Sequence, residues 1–203
     1  MDTDDANANS NAVAENNDIM IKLISAEDDS TGESQVFEIS LAAAGLSVLV
    51  VDAAGDVEDD DDDDDDDDDN ARNKPPLEIN ISRVKGPCLA KVVDFMNHHH
   101  TDKMKAIPTP LGGSSFNEVM DQEWYQHFIS DENLGGNDML FDLLTSANFM
   151  GIKELLDLCC LKVTFQLTGK SADEIREILR LPELSPEEEA QAREEHKWIF
   201  EDS

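Results

Sequence analysis

The spacing of apolar residues in the N-terminal half predicts a β-hairpin. Ile19–Ile24 is rich in apolar and β-branched residues, Gln35–Ile39 alternates between apolar and polar residues, and the turn-like stretch Asp28–Glu33 lies between them. Two such runs joined by a turn are typical of a hairpin. Leu46–Val51 is ambiguous, because its propensity favours a strand while its place after a hairpin suits a helix.

A strand and a long helix are predicted next. Leu77–Ile81 alternates as a strand does, and Pro87 stands near the start of a helix whose apolar residues share one face. This helix ends in His98–His100. Consecutive histidines spread around a helix instead of converging on a metal, and a helix C-terminus favours His electrostatically, so a helix end is the preferred interpretation. The prolines and glycines that follow predict a flexible connector over residues 101–115.

The next segment predicts three helices separated by glycine breaks. Phe116–Phe128 is predicted to be a helix, and Leu134–Asn137 a break. Asp138–Met150 is strongly apolar and therefore predicts a helix buried on most sides. Gly151, a usable cap for the following helix but a less favourable one than Asp, separates it from Ile152–Leu167, whose apolar residues form one stripe.

Two short acidic helices are predicted at the C-terminal end. Gly169 is a typical helix stop. Ser171–Glu174 and Ser185–Glu188 each match a capping box, in which a Ser caps the first turn and a Glu bonds back to the Ser N–H. Pro186 falls at the first helical position, where its missing N–H costs nothing. The few apolar residues of these helices cannot close a core alone, so the tail is expected to bind a partner.

The charge of the chain excludes several classes of partner. The formal net charge is −32, and twelve of the negative charges lie in the run Glu58–Asp69. Phosphates need Lys and Arg, so neither nucleic acid nor an anionic membrane is an expected partner. Calcium loops need spaced ligands and a turn, so a solvated, disordered insert over residues 56–74 is favoured over a calcium site. Residues 1–18 read as a disordered leader, with neither a signal peptide nor a membrane-spanning run.

The cysteines and histidines suggest no catalytic or cofactor site. Cys88, Cys159 and Cys160 lie in apolar stretches without metal-ligand spacing, and are expected to be buried, reduced thiols of a protein of the cytoplasm and nucleus. His127 and His196 are isolated and read as surface residues of helices. With no catalytic triad order and no phosphate-binding loop, we expect no enzyme activity, no cofactor and no metal.

Taken together, these stretches resemble the Skp-type adaptor family, which links F-box proteins to cullin–RING ubiquitin ligases in SCF complexes. The resemblance covers nearly everything from Ile21 onwards except the acidic insert. It rests on Ile21-Lys-Leu, Phe37-Glu-Ile, Asp121-Gln-Glu-Trp124, Ala147-Asn-Phe-Met-Gly-Ile-Lys153, Leu155-Leu-Asp157, Gly169-Lys170, Asp173-Glu-Ile-Arg176, Glu187-Glu-Glu-Ala-Gln-Ala-Arg193 and Trp198. It implies an α+β fold, with a BTB/POZ core over residues 19–167 and a two-helix F-box-binding extension over residues 168–203.

The resemblance also implies two partner surfaces. The cullin-binding segment falls on Asn148 and Phe149, where Phe replaces the usual Tyr of the family; a plain helix terminus is the alternative. The implied F-box-binding residues are Leu161, Ile175, Ile178, Leu179, Leu181, Trp198 and Ile199. Trp198 is the expected anchor, with folding back on the core as the alternative. Pro186 matches a position that some protist members hydroxylate and glycosylate, although a helix-start proline explains it too.

The function implied is a non-catalytic adaptor that bridges a cullin and F-box substrate receptors. Two alternatives remain open: a divergent adaptor of another cullin complex, similar to elongin C, and an acidic chaperone of basic proteins built around Asp59–Asp69. The tail after Gly169 favours the first function, since chains like elongin C lack it. Exposed apolar surface also suggests weak self-association of the free protein.

Overall fold

The computed structural model describes residues 19–58 and 76–199. The predicted leader therefore lies outside the described residues, as does the predicted insert from residue 59 onwards. Residues 56–58, which the sequence assigns to the start of the insert, are the last residues of a helix. No helix in the described part of the chain is long and apolar enough to cross a bilayer.

The predicted hairpin and third strand form one small mixed sheet. Strands β1 (Met20–Ala26), β2 (Val36–Ser40) and β3 (Glu78–Lys85) lie in the order β2-β1-β3. β1 pairs antiparallel with β2 and parallel with β3, and a bulge interrupts the second ladder after Ser25. The hairpin prediction is confirmed, and β3 continues four residues beyond the predicted end at Ile81.

Three helices follow these strands along the chain: α1 (Leu41–Ala44) and α2 (Val48–Glu58) come after β2, and α3 (Gly86–Thr101) comes after β3. The ambiguous segment before the acidic run is thus largely helical. The Ser47 side chain explains the start of α2, because its hydroxyl accepts a hydrogen bond from the Val50 N–H and donates one to the Met150 carbonyl.

Alternation along the strands places the apolar side chains of the sheet in a core with α3. The residues that share this burial, all less than 2% exposed, include Ile21, Leu23, Ile39, Ile81, Leu89, Phe95 and Met96. The α3 prediction is confirmed, and its three histidines do lie in the last turn. They differ in environment, however, since His99 is buried and stacks on Phe95 with ring centroids 5.6 Å apart.

The rest of the described chain is helical. The elements are α4 (Phe116–Val119), α5 (Glu123–Phe128), α6 (Asp131–Leu134), α7 (Asn137–Met150), α8 (Lys153–Leu167), α9 (Ala172–Leu179), α10 (Pro186–Glu195) and a 3₁₀ turn at Lys197–Ile199. Three strands and this set of helices confirm the α+β class.

The prediction of one helix over Phe116–Phe128 is wrong, because the chain is extended at Met120. Met120 is buried with φ −101° and ψ 97°. Its carbonyl accepts a hydrogen bond from the Gln126 side-chain amide at 2.6 Å. The Gln122 side chain in turn accepts the Lys105 N–H at 2.7 Å. Side-chain bonds therefore replace the helical ladder between α4 and α5.

The described residues divide into two compact units. One comprises residues within Met1–Lys103 together with Thr145–Ile152, and the other comprises Met104–Leu144 with residues within Lys153–Ser203. Helix α7 contributes its first part to the second unit and its last turns to the first. The predicted boundary after residue 167 does not coincide with this division, and it stays a prediction about function.

Candidate partner-binding surfaces

The end of α7 is fixed by the backbone of Gly151. Gly151 has φ +66°, and the Ile152 N–H bonds back to the Ala147 carbonyl at 2.9 Å, as in a Schellman motif. The expectation that Gly151 caps the next helix is wrong, since α8 begins only at Lys153 and Gly151 ends α7 instead. This stop leaves Asn148 exposed on the last turn of α7.

The predicted cullin contact Phe149 is half-buried next to a residue that the sequence did not single out. The guanidinium carbon of Arg83 lies 5.3 Å from the centre of the Phe149 ring, within cation–π range. Arg83 and Phe149 line a depression of about 400 Å³ together with Thr145, Ser146 and Asn148. The sequence signal for Arg83 is weak: it lies on β3 beyond the predicted end of the strand.

An apolar ridge lies beside the same helix end. A Cβ built on Gly151 would lie 2.9 Å from the Val48 Cβ, so the two backbones approach closely. Val48 and Val51 on α2 are 58% and 47% exposed, respectively. The α7 end therefore combines an exposed amide, an aromatic ring, a cation and an apolar edge within one unit.

The first tail helix presents an apolar stripe. Ile175, Ile178 and Leu179 recur at the spacing that places side chains on one face, and all three are half-buried. The capping box is confirmed: Ser171 Oγ accepts the Glu174 N–H at 3.3 Å, and Glu174 Oε2 accepts the Ser171 N–H at 2.9 Å.

Beyond α9 the apolar residues are exposed. Leu181 is 54% exposed and Trp198 is 70% exposed, so Trp198 is not folded into a core of the described residues. Leu184, which the sequence analysis missed, is 50% exposed and belongs with them. Its position between two capped helices is the signal that could have found it. The side chain of Ile199 lies outside the described part of the chain.

Leu161 is separated from this exposed set by its burial. It lies on α8, is only 4% exposed, and borders a shallow depression of about 340 Å³ that also involves Ile107 and Leu111. The predicted residues of α9 are thus half-buried, Leu181 and Trp198 are exposed, and Leu161 is buried.

The capping glutamates have lowered pKa values. The Ser171 N–H is the largest cause for Glu174, followed by the Ser171 hydroxyl and Lys170. The Ser185 N–H lowers the pKa of Glu188 in the same way. Both bonds favour the ionised carboxylate, so they hold the starts of α9 and α10 at neutral pH.

Comparison with known proteins finds a family match for the C-terminal segment and relatives that align with most of the chain. Residues 153–199 match the profile described as Skp1 family, dimerisation domain. The S-phase kinase-associated protein 1 homolog of Tetrahymena thermophila is 40% identical over 125 residues, which are 61% of this chain and 73% of that protein. The chain belongs to the Skp1 family.

Other relatives agree with this assignment. SKP1-like protein 9 of Arabidopsis thaliana is 33% identical over 124 residues, covering 61% of this chain and 72% of that protein. The E3 ubiquitin ligase complex SCF subunit sconC of Aspergillus fumigatus is 35% identical over 124 residues, covering 61% of this chain and 75% of that protein. Both the resemblance and the α+β fold expected of the Skp1 family are confirmed.

The segment that matches the family profile carries all of the predicted F-box-binding residues. It begins at the first residue of α8 and ends at Ile199, so it includes both capping boxes and Trp198. Pro186 is exposed at the first position of α10, as a modification site requires.

The expectation of three buried thiols is wrong for Cys160. Cys88 and Cys159 are buried, but Cys160 is exposed, because adjacent helical residues point about 100° apart. Partial burial of the sulfur, with a smaller contribution from Asp157, raises the pKa of Cys160. In the described ranges no group of three or more His, Cys, Asp or Glu residues could hold a metal ion.

Proposed function

We propose that this protein is the non-catalytic adaptor subunit of an SCF-type E3 ubiquitin ligase, with one surface for a cullin and another for F-box receptors. The observation that carries the proposal is the exposed apolar set on the capped tail, within the segment that matches the Skp1 family. The relative sconC is named as a subunit of such a complex.

The physical task of such a subunit is to raise local concentration. Holding a substrate receptor and a ligase scaffold on one chain converts a bimolecular encounter into a tethered one, without any transition-state chemistry in the adaptor itself. This role needs two independent binding surfaces and no catalytic residue. It fits a chain in which Leu181, Leu184 and Trp198 of the described tail are exposed.

The proposed F-box surface comprises Ile175, Ile178, Leu179, Leu181, Leu184 and Trp198, with Leu161 and Ile199 retained from the family resemblance. An apolar helical segment of an F-box protein would cover this surface by helix-in-groove packing. Trp198 is the proposed anchor, because a large exposed aromatic side chain offers the greatest apolar area for burial.

The proposed cullin surface is centred on Asn148 and Phe149. Asn148 is exposed on the last turn of α7, and the half-buried Phe149 ring is held from one side by Arg83. A half-buried aromatic ring and a neighbouring exposed amide give a helical partner both apolar and hydrogen-bonding contacts.

A pulldown with four baits tests both surfaces at once. The baits are the wild type, Trp198→Ala, Asn148→Lys/Phe149→Lys and a control, Val36→Ala, which changes an exposed apolar residue on β2. We expect the first variant to lose F-box proteins and keep the cullin, and the second to do the reverse. The control should retain both partners. Equal recovery of both partners by all baits would refute the two surfaces.

The two alternative functions are not favoured. An adaptor similar to elongin C would lack the tail that matches the Skp1 family here. A chaperone of basic proteins would bind them through Asp59–Asp69, and its binding would disappear at high salt or on deletion of that run. Loss of cullin and F-box recovery, with basic proteins bound instead, would support the chaperone.

Three further proposals follow from the same assignment. We expect the protein in the cytoplasm and nucleus, which imaging of a tagged chain tests. Hydroxylation and glycosylation of Pro186 would add mass to the native protein, and an unmodified intact mass would exclude it. Weak self-association of the free protein should appear in analytical ultracentrifugation and decrease when an F-box peptide covers the tail.

A further inference from the structure

Arg83 differs from the other cations of the sheet in its surroundings. Lys22 pairs with Glu78 at 3.2 Å, and Lys85 pairs with Asp29 at 2.6 Å. Arg83 is exposed, and none of the described carboxylates forms an ion pair with it. Its observed contact is the face of Phe149. The chain has 47 acidic and 15 basic residues, so a cation without a described acidic partner is notable.

The contact with Phe149 leaves the guanidinium able to bind an anion. A guanidinium that contacts an aromatic face keeps N–H groups with which it can meet a carboxylate, and the exposure of Arg83 leaves them accessible. The ring also restricts the Arg side chain before a partner arrives, which reduces the entropy lost on binding. Arg83 is therefore a pre-positioned donor on the rim of the depression that Asn148 also lines.

Val48 supplies the complementary contact beside the same helix end. It is 58% exposed and close to the backbone of Gly151, two residues beyond Phe149. Exposed valines on the first turn of α2 offer apolar area continuous with the end of α7. A cation over the Phe149 ring and an apolar edge beside Gly151, both at the end of α7, fit an amphipathic segment with a carboxylate.

We propose that Arg83 and Val48 extend the Asn148–Phe149 surface and fix the chemistry of its occupant, a cullin helix that packs an apolar residue on Val48 and places a carboxylate at Arg83. This inference rests on the proposed function above. Charge complementarity selects the carboxylate, and continuity with the proposed cullin surface selects the cullin over other partners. Arg83 acts as a specificity-determining contact, and it also positions the Phe149 ring.

The test measures binding of a purified cullin N-terminal region to the full-length adaptor by calorimetry. We expect Arg83→Ala to weaken binding about threefold and Arg83→Glu about tenfold at 0.1 M salt, which are effects of the size of one partly exposed pair. The loss for Arg83→Glu should shrink at 0.5 M salt, because screening weakens the charge term. Val48→Glu should weaken binding with little salt dependence.

Matched controls separate these effects from folding. Lys105→Glu makes the same change of charge in the other compact unit, and Val36→Glu places the same side chain on β2, at the opposite edge of the sheet from β3. Both should bind the cullin like the wild type. A cullin variant with one Asp or Glu reversed to Lys should restore the affinity for Arg83→Glu.

The outcomes distinguish the two levels of the proposal. If Asn148→Lys/Phe149→Lys abolishes cullin binding while Arg83→Glu and Val48→Glu bind normally, the extension is overturned and the proposed function stands. If the Asn148/Phe149 variant also binds normally, the cullin surface itself is wrong. A salt-independent loss for Arg83→Glu, with a lowered melting temperature, would overturn the charge contact in favour of a structural role.

Discussion

Gly151 should be far less tolerant of a side chain than a matched glycine in the same backbone conformation. Gly151 and Gly135 both have positive φ, +66° and +75°, and each ends a helix. Around Gly135 an added Cβ meets nothing within 4 Å, whereas on Gly151 it would lie 2.9 Å from the Val48 Cβ and 3.2 Å from its Cγ2. Alanine substitutions at these two glycines therefore separate the energetic cost of backbone strain from the cost of crowding.

The magnitudes follow from these two terms. The left-handed conformation costs a residue with a Cβ about 1–2 kcal/mol relative to Gly, and this term applies to both sites. Crowding adds about 1–3 kcal/mol at Gly151 alone, because the Val48 Cβ is fixed to the backbone and cannot rotate away. We therefore expect Gly135→Ala to lower the free energy of unfolding by about 1–2 kcal/mol, and Gly151→Ala by roughly 2–5 kcal/mol.

Urea unfolding of the full chain, followed by circular dichroism, measures both changes. Val48→Gly removes the clashing atoms, so the double variant Gly151→Ala/Val48→Gly should be more stable than the sum of the single effects predicts, by about 1 kcal/mol or more. Equal costs for Gly151→Ala and Gly135→Ala, or strict additivity in the double variant, would refute the crowding argument. An unchanged denaturant slope would confirm that the comparison concerns stability alone.

Three other predictions follow from the described side chains. Trp198→Ala should weaken F-box binding at least about 30-fold, or about 2 kcal/mol, because a Trp buries about 150–250 Å² at an interface; unfolding of the free protein should change by less than about 0.5 kcal/mol. The stabilisation from Glu174 and Glu188, whose pKa values are lowered from 4.5, is present at neutral pH and lost as the pH falls through their folded values. Helicity should therefore drop in acid, and less so in a Glu→Gln double variant, since Gln caps without titrating. Iodoacetamide should label Cys160 in the native protein and spare Cys159, slowly because the raised pKa leaves little thiolate.

Local rules predicted much of the fold from the sequence. The hairpin, the long α3, the glycine break before α7 and both capping boxes each depend on residues within a few positions of one another. Such signals predict the structure correctly because backbone hydrogen bonding at helix ends and turns is decided by neighbouring residues. The family resemblance supplied the order of the elements and the expected partners.

Two features that the sequence missed depend on contacts outside the local pattern. The extended backbone at Met120 is held by Gln126 and by the bond from Lys105 to Gln122, and apolar spacing alone gives no sign of either. The contact of Arg83 with the Phe149 ring joins a strand to a helix residue 66 positions later, and it can be recognised only once the fold is known. At Met120 the side-chain bonds override the local helical pattern, whereas the Arg83–Phe149 contact has no local signal at all.

The tail combines locally fixed helices with uncovered apolar residues, and this combination suits a docking surface. Helices of eight and ten residues are marginal in isolation, below the roughly 12–15 residues that an independent helix needs. Each capping box stabilises the first turn of its helix without using any apolar side chain.

The helices of the tail are therefore held by local bonds, while Leu181, Leu184 and Trp198 stay exposed. A partner that covers them gains apolar burial and loses less entropy than it would against a disordered segment. Helix capping thus preorganises the backbone of the tail, and burial of its exposed apolar side chains would provide the driving force for binding.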